Sequence, residues 1–138
     1  MKKTLSILLL GCLAVSLPGQ ELLERLNPDN IEKEFLGEKT ITFRGERDEI
    51  RVGLVDGFFR RLMIEVVDND VRIEKMIVVY GNNARDEIPL RHVFREGSRS
   101  RIIDLEGRRR VIKKVIFFYK TVGRLVDGRA TLKLYGIK

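Results

Sequence analysis

The chain has no tryptophan, one cysteine and one histidine among its 138 residues. The cysteine, Cys12, falls in an apolar N-terminal stretch, and His92 has neither a second imidazole nor a thiol to work with. That composition argues against Cys-His and Ser-His nucleophile systems, and against zinc sites assembled from several soft ligands. The lack of tryptophan also removes the usual platform for sugar rings. Long apolar runs are missing too: beyond residue 20, every one is broken by Arg, Lys, Asp or Glu. A membrane-spanning helix needs about 20 consecutive apolar residues, so no transmembrane segment is expected.

Residues 1–20 have the order of a secretory leader. Lys2 and Lys3 supply the charged start, Leu5 to Leu17 the apolar core, and Pro18-Gly19 ends it before Gln20-Glu21. Two modes of release remain open. Ala14-Val15-Ser16 offers small residues for a signal peptidase, giving a free periplasmic or secreted protein. Leu9-Leu10-Gly11-Cys12 has the form of a lipobox, in which Cys12 would carry a lipid anchor. Cleavage after residue 20 leaves no cysteine, so an oxidising compartment would add no disulfide.

The remainder reads as a short helical arm over 21–38 followed by one domain over 39–138. Leu22, Leu23 and Leu26 make one apolar turn, and Asn30 could cap a second turn through Phe35 that Gly37 ends. From Lys39 the apolar period is two. Ile41 and Phe43, Ile50 and Val52, then Leu62, Ile64 and Val66 each line one face. Val71 and Ile73 share one phase while Met76, Val78 and Tyr80 take the other, which places a bulge, or a strand buried on both faces, near Glu74-Lys75. Pro89 marks an edge strand or a strand start, and Val115 to Tyr119, apolar on both faces, a central one. Ala130, Leu132 and Leu134 close the pattern. About eight short strands separated by turn signals predict an all-β antiparallel sandwich, jelly-roll-like in topology. A domain of this size can bury a core without disulfides.

The order of Val78-Val79-Tyr80-Gly81-Asn82, Ile88-Pro89-Leu90 and Ser100-Arg101-Ile102-Ile103-Asp104-Leu105 carries a resemblance. It continues through Ile112, Val115, Phe117 and Tyr119 to Arg129-Ala130-Thr131-Leu132-Lys133-Leu134-Tyr135-Gly136. Over roughly residues 60–136, judged on strand periodicity, the chain resembles the bacterial exported proteins grouped as domain of unknown function 2541. The resemblance implies export and a small β-sandwich, and it supplies no catalytic residue. Some relatives carry cysteines that this chain lacks, so no shared disulfide is carried over.

The net charge is +7, and its excess is concentrated. Arg95 to Lys114 holds eight basic residues against three acidic ones, Glu96, Asp104 and Glu106. Arg99, Arg101, Arg108 and Arg110 flank a short strand and its turn, and arginine forks there could hold a bidentate anion. The plain alternative is a solvated face whose arginines pair with neighbouring acids. Nucleic acid is not the expected partner, because the leader points to export and no aromatics interleave with the arginines.

Asp68-Asn69-Asp70 offers oxygen ligands of the kind calcium prefers, yet these are equally ordinary turn residues. Glu65, Asp104 and Glu106 could pair as hydrolytic carboxylates, but no spacing fixes their separation. His92 reads as a structural histidine. The expectation is therefore no cofactor, no metal and no enzymatic activity, with a hydrolase the weaker option. The preferred reading is an exported binding or envelope-surface module that meets an anionic glycan, a lipid headgroup or a phosphate compound. The alternative is an assembly protein whose edge strands pair with a protein partner.

Overall fold

Side chains that alternate in polarity make strands with one wet and one dry face, and two such sheets must stack to bury the dry faces. The computed structural model does this. It describes residues 31–42, 44–53, 57–108, 110–122 and 128–138, of which those from Lys33 onward belong to one compact unit. The expected leader, Cys12 and residues 21–30 of the expected arm lie outside the described residues. So do Phe43, Arg109 and residues 123–127.

Nine strands follow one another: β1 (Glu34–Thr42), β2 (Arg47–Arg51), β3 (Phe58–Phe59), β4 (Arg61–Val67), β5 (Val71–Tyr80), β6 (Arg85–Phe94), β7 (Ile103–Asp104), β8 (Arg110–Thr121) and β9 (Arg129–Ile137). The first sheet has the order β1-β9-β4-β7 and the second β2-β8-β5-β6, all antiparallel, with β3 continuing the β2 side of β8. The pairing is nested. β1 meets β9, β2 meets β8, β4 meets β7 and β5 meets β6. Ile41, Leu62, Ile64, Val66, Leu132 and Leu134 of the first sheet are buried in one core with Ile73, Met76, Val78, Val115, Phe117 and Tyr119 of the second. Each such side chain contributes roughly 1.5–3 kcal/mol on full burial.

The helical arm is corrected where it can be seen. Among the described residues there is no helix, and therefore none long and apolar enough to cross a membrane. Glu34 to Thr42 is strand, and the sandwich begins before Lys39. The helical reading rested on Asn30 as a cap and Gly37 as a stop, which are local signals worth little against a full ladder. β1 gains eight registered pairs with β9, Leu36 and Ile41 enter the core, and Phe35 meets the Tyr135 ring edge-on at 5.7 Å. Gly37 serves a bulge in place of a stop. The register slips between Phe35 and Gly37, φ there is 157°, and a Cβ would lie 2.8 Å from Ile50 Cγ2.

The phase change in β5 is a bulge, as its sequence suggests. Glu74 is the extra residue against β8, between the pairs Ile73↔Tyr119 and Lys75↔Phe118. β8 lies between β2 and β5, in agreement with its two apolar faces, and Pro89 lies on β6, an edge strand. The Asp68-Asn69-Asp70 turn is tied to its neighbours by hydrogen bonds. Asp70 accepts from the Glu96 backbone N–H at 2.8 Å and from Arg95 Nη1 at 2.9 Å. Asn69 donates to the Arg129 carbonyl, and Thr131 donates to Asp68 at 3.2 Å.

Two consequences can be measured. Gly136 of β9 has no room for a side chain, because a Cβ would stand 2.6 Å from the buried Phe59 ring and 2.9 Å from Leu36. Gly136→Ala should therefore destabilise the domain by about 1–3 kcal/mol in urea unfolding. An unchanged midpoint would show that Phe59 and Leu36 yield freely. Asp70 is held below its usual value of 3.8, first by the Glu96 N–H and then by Arg95. A depressed folded value means stabilisation present above 3.8 and lost as the pH falls through the folded value. Wild type should be more stable than Asp70→Ala at pH 7, and the gap should close on acidification below 3.8. A gap independent of pH would remove the ionised carboxylate from the account.

Candidate anion site at the Asn82 turn

The four arginines singled out in the sequence do not share one surface. After Phe94 the chain crosses to the first sheet and runs along the edge of β4, where Gly97 N–H donates to Val66 and Ser100 N–H to Ile64. Arg99 sits opposite Glu65, with its Nε 3.3 Å from Oε2 of that carboxylate. Arg101 and Arg99 line a small cavity together with His92. The chain then leaves β7 through a turn that holds Arg108, and rejoins the second sheet at Arg110, the first residue of β8. The alternation that makes neighbouring arginines look continuous is broken by this crossing.

The second place is built on the β5–β6 hairpin. Tyr80 closes a tight turn, accepting the Asn83 N–H at 2.9 Å while its own N–H donates to Ala84. Asn82 folds its side-chain oxygen back onto the Ala84 N–H at 3.0 Å, and Asn83 takes a left-handed φ of 68°. The amide side chains are thus positioned by the turn itself. The Gly81 N–H donates to the Val111 carbonyl and fixes the hairpin to the start of β8.

Arg110 is half-buried with its guanidinium carbon 3.6 Å from the centre of the Tyr80 ring, a cation–π contact over a phenol that is 1% exposed. One register irregularity in β8 places Lys113 as an extra residue beside Tyr80, and its Nζ donates to Asn83 Oδ1 at 3.1 Å. Arg108 is exposed in the turn that precedes Arg110. Arg110 and Lys113 therefore meet one asparagine turn, with the exposed Arg108 two residues before Arg110. Among the described residues, none of the three stands within ion-pair distance of a carboxylate.

A concavity of about 510 Å³ opens here, lined by Tyr80, Gly81, Asn82, Arg110 and Val111. That lies inside the usual range for small-molecule sites of roughly 300–1,000 Å³. Within its lining Arg110 Nη2 donates to Asn82 Oδ1 at 3.5 Å. Burial above all, with Asp86 beside it, pushes the Tyr80 hydroxyl up to about 12 against the pull of Arg110. Tyr80 is thus a neutral phenol at physiological pH, a support for Arg110 and not a base.

Of the residues at this turn, the sequence had singled out Arg110 as an anion ligand but not Lys113, Asn82 or Asn83. Asn82 and Asn83 were legible only as turn residues, and Lys113 only as one of eight bases. The available signal was the turn: an Asn-Asn pair ending a strand presents two amides beside whatever the neighbouring strand carries. Asp104, offered as a hydrolytic carboxylate, pairs instead with Arg61 at 3.7 Å. Among the described residues no group of three or more His, Cys, Asp or Glu side chains could hold a metal ion.

No curated protein and no solved structure matches the chain. Residues 6–136 match the family described as domain of unknown function DUF2541, a span that takes in β1 to β8 and all of β9 but Ile137. The chain belongs to that family.

Proposed function

We propose that the protein is an exported, non-enzymatic binding module of the cell envelope whose ligand is an oxygen-rich anion held at the Asn82 turn. The observation that carries this is the pair Arg110 and Lys113 on two asparagine amides, neither within ion-pair distance of a carboxylate among the described residues. Guanidinium and ammonium groups offer only donors to a phosphate, sulfate or uronate, and the amide NH2 groups can add to them. Because Arg110 is already stacked on Tyr80, less side-chain freedom is lost when it binds. The five residues lining the concavity include no base or nucleophile suited to bond breaking, which favours recognition over turnover.

The nested pairing supports the finer reading of the sandwich as a jelly roll, in which loops at the ends of the sheets carry recognition. The leader at 1–20, or a lipid on Cys12, would deliver such a module to the envelope. The alternative, assembly through edge strands, draws less support. β6 carries Pro89 and a left-handed Arg91 with φ of 46°, and β1 carries a bulge. Those are the devices that keep sheet edges from pairing.

Titration of the protein with sulfated and uronic glycans, anionic vesicles and inorganic phosphate, at low and then raised salt, tests the proposal. At least one anion should bind saturably, more weakly as salt screens the site. The double reversal Arg108→Glu/Arg110→Glu should lower that affinity by about a hundredfold or more, since two charge-assisted contacts are lost, with the fold intact by circular dichroism. Equal binding by this variant and wild type would remove the Asn82 turn as the site.

A further inference from the structure

The cavity beside His92 is a different kind of place. It lies where the two sheets part, between edge strand β6 and the segment that follows it along β4. Leu90, His92 and Phe94 line it from β6, and Arg99, Ser100 and Arg101 from the other side. Phe94 is part of the core, Leu90 packs against that core half-buried, and the His92 ring stands edge-on to Phe94 at 4.8 Å. The seam therefore opens onto apolar surface and is rimmed by cations.

Its polar groups differ in how far they are committed. Ser100 is buried and fully used: its hydroxyl accepts from the Ile64 N–H at 2.9 Å and donates to the Arg101 carbonyl at 2.8 Å. Arg99 is held by Glu65. Arg101 is exposed, and among the described residues no carboxylate pairs with it. Among the described residues no carboxylate lines the cavity. The volume is about 180 Å³, slightly more than the roughly 150 Å³ that suffices for a benzene ring.

We propose that this seam is a second binding site, specific for a small carboxylic acid with one ring or branched aliphatic group. The apolar body inserts between Leu90, His92 and Phe94, and the carboxylate stays at the rim on Arg101. The two halves of such a ligand match the two halves of the cavity. A bare inorganic anion would leave the apolar floor unfilled, and a neutral hydrocarbon would leave the arginine without its partner. The site is independent of the Asn82 turn and holds whether or not that turn binds anions.

Sodium benzoate is the probe. The full chain is titrated with it while the ring resonances of His92 and Phe94 are followed by NMR. Saturable shifts of both rings are expected, with a dissociation constant on the order of a millimolar for so small a ligand. Arg101→Gln should weaken benzoate by about tenfold, and benzyl alcohol should bind wild type more weakly by a similar factor. Arg108→Glu/Arg110→Glu should leave benzoate affinity unchanged, and Leu90→Phe, which fills the seam without touching charge, should abolish it. Competition by phenyl phosphate would support the shared need for an anionic head on an apolar body. Any of three results overturns the proposal: shifts that never saturate, benzyl alcohol binding as well as benzoate, or inorganic phosphate displacing benzoate.

Discussion

β9 enters the first sheet between β1 and β4, so the last strand of the chain is the one that the first strand needs. Until Arg129–Ile137 is in place, β1 has no ladder partner and β4 has only β7 and the 97–100 segment along one edge. The second sheet has the same dependence one layer in, with β8 pairing β5 on one side and β2 and β3 on the other. Gly136 shows how tightly this is drawn, since Phe59 and Leu36 close over it from two other strands. The cost of nested pairing is paid in loop-closure entropy, because its contacts join distant parts of the chain. The return is one continuous core.

Much of this was legible because strand side chains alternate by a fixed rule. β9 shows Ala130, Leu132 and Leu134 inward, as its period-two pattern requires, and β8 reads as central because Ile116 and Phe118 are apolar where an outer strand would be polar. The slip at Glu74 was visible as a change of phase. The β1 segment was not legible, because its identity as strand depends on β9, at the far end of the chain. Local capping signals around Asn30 and Gly37 then outweighed a weak strand pattern. The error has a physical source: helix signals act within a few residues, while the ladder that overrides them is non-local.

The placing of the four arginines was not legible in sequence for a related reason. Arg99, Arg101, Arg108 and Arg110 fall within twelve positions, and proximity along a chain suggests proximity in space. In a sandwich that inference holds only while the chain stays in one sheet. Here it leaves the second sheet after β6, runs along β4 of the first through residues 97–100 and β7, and returns for β8. The crossing sends Arg99 to Glu65 and Arg110 to Tyr80. Charge density in sequence was therefore a sound measure of quantity and a poor one of location.

The sheet edges explain why recognition is better sought at the turn and the seam than along a strand. An exposed edge invites another chain unless something prevents register from propagating. β6 has Pro89, which donates no hydrogen bond, and Arg91 in a left-handed conformation within a region of shifted register. β2 is five residues long, four of them charged, and β1 is interrupted by the bulge at Gly37. With its edges blunted in these ways, the domain offers two hollows for recognition besides the one over the Lys75–Glu87 ion pair. One has a pair of cations set on a hairpin turn, and the other is an apolar slot with a cation at its lip. The two differ in chemistry because they arise differently: the first from turn geometry, the second from the gap left where two edge segments diverge.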